Sequence, residues 1–339
     1  MTLADVAKAS NVSPATVSLV LRGKAGVGQQ TRQRVLDAAQ ALGYIHKPSV
    51  SSDTQTADRT VGLIMRIRHD DAHLGENSFY APVLSGIEYI CRRGGVNLLF
   101  SNLPVDEANY PLEIPHLIRN EQLDGVLLVG MFVSPALQAV LIEQGLPVVL
   151  VDAYAQEETS FDSVLSDNEQ GSFLATQTLI AHGHRAIGIV GSSETTFPSI
   201  QERRAGYLRA MQQAQLTPHF IDCELRPEAA EAAVFDYLQA HEEITAVFGS
   251  NDAVTMAAMR AATALGKSIP YEMSFIGFDN ILAAQHVSPP LSTMRVDKAG
   301  MGRLAAQLLF NRLEFPKASP VRTILQTQLI SRDSVHLLS

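Results

Sequence analysis

From residue 61 onward, short unbroken apolar runs alternate with longer amphipathic stretches. The runs are Val61–Ile67, Val96–Phe100, Val126–Val129, Val148–Val151, Ala186–Val190, Thr245–Phe248 and Phe275–Phe278. Between them lie helix candidates such as Pro82–Arg93, Pro135–Gln144, Asn168–Ala181, Arg203–Gln213 and Ala253–Leu265. Strands that are apolar on both faces, separated by amphipathic helices, predict parallel sheets covered on both sides. No short repeat is visible. The coarse order predicts an α/β core of two doubly wound parallel-sheet subdomains. A last strand is expected over Ile324–Ile330.

The first 44 residues have a different period. Thr2 and Asp5 have the spacing of a capping box for a first helix that turns Val6, Ala7 and Ala9 inward. Asn11 suits the left-handed turn that must follow. Ser13 then caps a second helix with Pro14 at its first position, and Val17, Val20 and Leu21 fall on one face. A third helix is expected over about Gln30–Leu42, with Val35, Leu36, Ala38, Ala39 and Leu42 inward and Gly43 as its stop. Three short helices sharing a small core predict a small all-α helix-turn-helix head over 1–45. Residues 46–60 are rich in Ser, Thr and Asp and read as a hinge or linker. The core is expected over 61–339.

Charge sharpens the picture. Residues 1–48 carry about +4, the whole chain −9, and the remainder therefore about −13. A basic head on an acidic body places a phosphate-binding surface at one end. A protein-binding helical head is the alternative from pattern alone. Cys91 and Cys223 are the only cysteines among 339 residues, which fits a reducing compartment and supplies no metal site. No run approaches a membrane-spanning length and the start is polar, so neither a span nor a signal peptide is expected. A cytoplasmic protein is the expectation.

The turns after parallel strands carry ligand chemistry. Polar residues stand there at Asp152, Ser192, Ser193, Asn251, Asp252, Asp279 and Asn280. Each alone is an ordinary cap or turn residue, but several at equivalent strand ends point to one shared cleft. Enzyme signatures are weak. Gly266-Lys267-Ser268 lacks the first glycine of a phosphate loop, which is Ala261 here, and His182-x-His184 points two imidazoles apart. No cofactor, no metal and no catalysis are expected.

Specific motifs then resemble the lactose-repressor family of bacterial transcription regulators. In the head they are Thr2-Leu3-x-Asp5-Val6-Ala7, Asn11-Val12-Ser13-x-x-Thr16-Val17-Ser18, Thr31-Arg32 and Gly43-Tyr44. In the body they include Asn77-x-Phe79-Tyr80, Asp167-Asn168, Gly183-His184-Arg185, Arg203-x-x-Gly206-Tyr207, Asn251-Asp252, Gly277-Phe278-Asp279 and Pro290-Leu291-Ser292-Thr293. The resemblance implies a periplasmic-binding-protein-like core with an effector between its subdomains. It implies an amino-terminal subdomain at about 61–161 and 291–321, and a carboxyl-terminal one at about 162–290 and 322–339. Effector contacts would come from Phe79, Tyr80, Asp152, Ser199, Arg203, Asn251 and Asp279, a set suited to a sugar, with Phe79 and Tyr80 as an aromatic wall or else only core. Operator DNA would be met by Thr2, Ser13, Pro14, Ala15, Thr16, Ser18, Leu19, Arg22 and Thr31. Pro14, Ala15 and Leu19 stand where the family reads bases and can offer only apolar contacts.

The family hinge carries a leucine that wedges into the minor groove. Counting without gaps puts Asp53 at that position, and a carboxylate there repels phosphate. Either Val50 wedges instead or the hinge contributes little, the second being preferred. The short tail after the last strand candidate leaves no room for heptads, so a homodimer on pseudo-palindromic operator DNA is expected rather than a tetramer. The function implied is an effector-controlled repressor. The alternative is a sugar-binding protein that senses without acting on DNA.

Overall fold

The computed structural model describes residues 3–13, 16–17, 20, 28–41, 59–68, 78–106, 108–120, 123–155, 161–193 and 196–338. The chain divides into two compact units, Met1–Gln55 and Thr56–Ser339. In the first unit, α1 (Leu3–Ser10) and α2 (Gln29–Ala41) are joined by a stretch in which Thr16, Val17 and Val20 are helical. Val6, Ala7, Val17, Val20, Val35 and Ala39 form its core. Asn11 takes the left-handed conformation, with φ 51°. Two inward assignments do not hold: Ala9 and Leu36 are exposed, since neither falls on the stripe that carries Val6 or Val35 and Ala39. Leu21 and Leu42 lie outside the described residues.

The second unit contains two six-stranded sheets. Its elements in order are β1 (Thr60–Ile67), α3 (Tyr80–Gly94), β2 (Asn97–Pro104), α4 (His116–Asn120), β3 (Gly125–Val129), β4 (Phe132–Val133), α5 (Pro135–Glu143), β5 (Val148–Val151), β6 (Tyr154–Ala155) and β7 (Asp162–Ser166). There follow α6 (Asn168–Ala181), β8 (Ile187–Val190), α7 (Pro198–Gln213), β9 (His219–Ile221), α8 (Pro227–Ala240), β10 (Ala246–Gly249), α9 (Asp252–Ala264) and β11 (Ser274–Asp279). A 3-10 turn (Leu282–Gln285) leads to β12 (Ser292–Arg295), α10 (Lys298–Glu314), β13 (Arg322–Leu325) and β14 (Gln328–Ile330).

The first sheet runs β13-β7-β5-β3-β1-β2 and is parallel throughout. The second runs β14-β12-β11-β10-β8-β9 and is parallel except for the edge strand β14. β3, β5, β8, β10 and β11 are buried along their whole length, which is why they read as unbroken apolar runs. Each sheet with its helices makes one lobe.

The chain crosses between lobes later than expected. The passages fall between β7 and α6, between β12 and α10, and between β13 and β14. The expected points were near Phe161-Asp162, Ser288–Leu291 and Val321. The strands decide this: each completes its ladder before the chain leaves its sheet. Asp162 does not begin a crossover but opens β7. Its carboxylate accepts from Arg312 Nε at 2.7 Å and Nη2 at 2.8 Å, and from Val321 N at 2.7 Å, pinning β7 and β13 into the first sheet. The single strand expected over Ile324–Ile330 is two, β13 and β14, one in each lobe. Helix α7 begins at Pro198, five residues before Arg203, because proline fits the first helical turn.

Candidate functional site

In the head, Ser13 Oγ accepts from Thr16 N at 3.1 Å and lies 2.9 Å from Thr16 Oγ1. That is the helix-capping geometry its sequence position suggests. Ser13 is exposed and Thr31 half-buried near the start of α2. Thr2, Pro14, Ala15, Ser18, Leu19 and Arg22 lie outside the described residues, as do Val50, Asp53 and the rest of the hinge through residue 58.

The body candidates sit where parallel strands end. Asp152 follows β5, and Asp279 closes β11 with Asn280 after it. All three hold positive φ, 47°, 104° and 51° respectively, which non-glycine residues adopt only when the surroundings enforce it. From the second lobe, Arg203 is buried on α7. Its Nε donates to Asn168 Oδ1 at 3.0 Å and its Nη1 to the Ser250 carbonyl at 2.5 Å. Its Nη2 lies 3.1 Å from Asp279 Oδ1, an ion pair whose angle leaves that oxygen without a well-formed hydrogen bond. The guanidinium also stacks 3.8 Å from the Phe278 ring centroid. Lys298, buried at the start of α10, donates to the Asp279 and Asn280 carbonyls.

From the first lobe, Tyr80 OH donates to Asp152 Oδ2 at 2.8 Å. Burial raises the Asp152 pKa to about 6; the Tyr80 hydrogen bond and Arg203 oppose the rise and Asp279 adds to it. Burial also raises Asp279, against the pull of Arg203 and Lys298, and lowers Lys298. Asp252 is pushed up to about 7, by burial first and by Asp279 second. It accepts from Ile281 N at 2.8 Å and Thr293 Oγ1 at 2.5 Å.

The lobes touch across the cleft. Tyr154 OH, after β5, donates to Glu202 Oε2 at 3.2 Å on α7. Glu202 also accepts from Asn168 Nδ2 at 2.9 Å, and burial raises its pKa. The Phe197 ring is edge-on to Tyr154 at 5.2 Å and to Phe132 at 6.4 Å.

The predicted set is therefore brought together unevenly. Asp152, Arg203 and Asp279 share one electrostatic cluster. Tyr80 is buried and supports Asp152 rather than forming a wall. Half-buried Phe79 packs edge-on against Tyr80 at 5.0 Å, with the Lys298 ammonium 5.9 Å from its centroid. Ser199 is buried one turn before Arg203. Asn251 spends its side-chain oxygen capping α9, accepting from Val254 N at 2.9 Å. Asp252, already singled out at a strand end, joins them from the second lobe. Sequence reasoning missed Asn168, Glu202, Lys298, Phe132, Tyr154 and Phe197. Asn168 had a visible signal, since it opens a helix directly after β7. The others join the site through the meeting of the lobes, which no local pattern carries.

Comparison with known proteins agrees with this architecture. Residues 2–49 match the family of bacterial regulatory proteins called the lacI family, and residues 176–335 match a periplasmic binding protein-like domain. The chain is 30% identical to a ribose operon repressor of Haemophilus influenzae over 99% of both chains. It is 29% identical to the HTH-type transcriptional repressor PurR of Aliivibrio salmonicida, again over 99% of both. A solved complex of the transcriptional regulator CelR with cellobiose superposes with a TM-score of 0.70 at 27% identity, covering 98% of this chain and 99% of that one. A basic helix-turn-helix head, two doubly wound lobes and full-length similarity to two repressors converge. The chain belongs to the lacI family of bacterial regulatory proteins and is a DNA-binding transcriptional regulator.

Proposed function

We propose that the protein is a cytoplasmic homodimeric repressor whose operator affinity is set by a small polyhydroxylated effector, a sugar, bound between the lobes. The observation that carries this reading is the cluster at the strand ends. Asp152 faces it from the first lobe; Arg203, Asp279 and Asn168 face it from the second. Carboxylates, a guanidinium fork and an amide beside aromatic rings suit hydroxyl pairs on a ring with apolar faces. Two relatives bear on the class of ligand, one named for a ribose operon and one solved with cellobiose. In this reading the protein catalyses nothing; it converts ligand binding into a change of DNA affinity.

For the cleft we assign Arg203, Asp279 and Asp152 as principal contacts. Phe132, Tyr154 and Phe197 supply the aromatic wall in place of Phe79 and Tyr80, and Ser199 and Asn251 are secondary. For DNA we retain Thr2, Ser13, Pro14, Ala15, Thr16, Ser18, Leu19, Arg22 and Thr31. We draw the subdomain boundaries between β7 and α6, between β12 and α10, and between β13 and β14.

The test is a gel shift on a palindromic site upstream of the protein's own gene, with and without pentoses, hexoses and disaccharides. A shift that one sugar class strengthens or weakens supports the reading. Tight sugar binding with no operator affinity would instead support a sensor that does not act on DNA.

A further inference from the structure

Outside the cleft, one cluster among the described residues has the composition of a metal site. His219 opens β9, the edge strand of the second sheet. His241 and Glu243 lie between the end of α8 and β10. One ligand atom from each of the three can be chosen so that all lie within 4.8 Å of one another. His219 stands 22 positions before His241, with Glu243 two further on, so no compact linear motif announces the three.

The local arrangement favours ligation. His219 Nδ1 lies 3.3 Å from Tyr237 OH, which fixes the ring and leaves Nε2 for a metal. The Tyr237 ring stacks on His241 at 4.2 Å between centroids, holding the second imidazole. His241 Nδ1 is already 3.0 Å from Glu243 Oε1. Tetrahedral zinc with bonds of about 2.1 Å needs ligand atoms roughly 3.4 Å apart, so side-chain rotation of this half-exposed group closes the set. An arrangement of two imidazoles and one carboxylate selects borderline transition metals over magnesium or calcium. The site lies at the amino-terminal ends of β9 and β10, whereas the effector cluster follows the carboxyl-terminal ends of the strands.

We propose that His219, His241 and Glu243 form a binding site for a zinc-class divalent ion, distinct from the effector cleft and oriented by Tyr237. Its ligands tie the edge strand to the α8–β10 connection, so metal stabilises the second lobe by mass action.

The experiment uses untagged, metal-stripped, full-length protein titrated with zinc chloride against a chromophoric chelator. A single zinc per chain and a zinc-dependent rise in thermal midpoint are expected. His219→Gln and His241→Gln should each weaken zinc uptake by about a hundredfold, and Tyr237→Phe by about tenfold, through the orienting hydrogen bond. Circular dichroism of the metal-free variants should match the parent. No stoichiometric uptake, or uptake unchanged by either histidine variant, overturns the proposal. Uptake lost with only one histidine overturns the three-ligand assignment.

Discussion

At Asp152, burial, a hydrogen bond and a strained backbone meet in one residue. Its pKa rises from 3.8 to about 6, so the folded protein disfavours the charged form. The sign follows: between about pH 4 and pH 6 the unfolded chain has released this proton and the folded one has not, so Asp152 costs stability as pH rises through that window. The cost saturates near 3 kcal/mol above it. Asp152→Asn should therefore raise ligand-free stability at neutral pH by about 1–3 kcal/mol in urea unfolding. A hydroxyl donor to the carboxylate favours the charged form, so effector binding should release protons near pH 6 and tighten as pH rises from 5 to 7. Calorimetry in buffers of different ionisation enthalpy reads the proton release directly. Arg203 requires more care, because removing it strands Asp279. Arg203→Ala should cost about 3–5 kcal/mol of stability, the usual result of leaving a buried charge unpaired. Arg203→Lys keeps the charge, loses the bonds to Asn168 and Ser250, and should weaken the effector about ten- to hundredfold. These three charged residues were legible in the sequence because each stands just after a strand or in a recurrent motif. Glu202, Lys298 and Phe197 were not, because only the contact between lobes gives them a role.

At the scale of elements, the Arg203-x-x-Gly206-Tyr207 motif now has a physical account. Arg203 pairs with Asp279 and bonds Asn168. Tyr207 OH donates to the Ile187 carbonyl at 2.7 Å and accepts from His219 N at 2.8 Å, locking α7 to β8 and β9. A Cβ on Gly206 would stand 2.1 Å from the Glu169 carbonyl oxygen, so the glycine permits the close crossing of α6 and α7. The other lobe repeats the device, where a Cβ on Gly302 of α10 would meet the Val83 carbonyl of α3 at 2.0 Å. Gly206→Ala should force these backbones apart and destabilise the second lobe by about 1–3 kcal/mol, readable as a lower unfolding midpoint. Weaker effector binding should accompany it, since α7 carries Arg203. The strand runs were legible because buried parallel strands are apolar throughout. The crossovers were not: Asp162 stands at the expected subdomain boundary, and its role appears only when Arg312, 150 residues away, reaches it.

At the scale of the whole molecule, charge and period alone separate head from body. The basic amino-terminal segment and the acidic remainder correspond to the two compact units. What connects them functionally is linkage. If the effector alters operator affinity by some factor, the operator must alter effector affinity by the same factor, typically about 5–150-fold in such systems. The homodimer proposed above implies half-sites about one helical turn apart on the DNA, and sedimentation at micromolar concentration should give twice the chain mass. The most direct measurement is a pair of reciprocal titrations: operator binding by fluorescence anisotropy at increasing effector, and effector binding by calorimetry with and without operator. Equal coupling factors in the parent are expected, with Arg203→Lys losing the effector response while its ligand-free operator affinity stays unchanged. An effector that binds through Arg203 yet leaves operator affinity the same would contradict the central claim that the cleft controls the head.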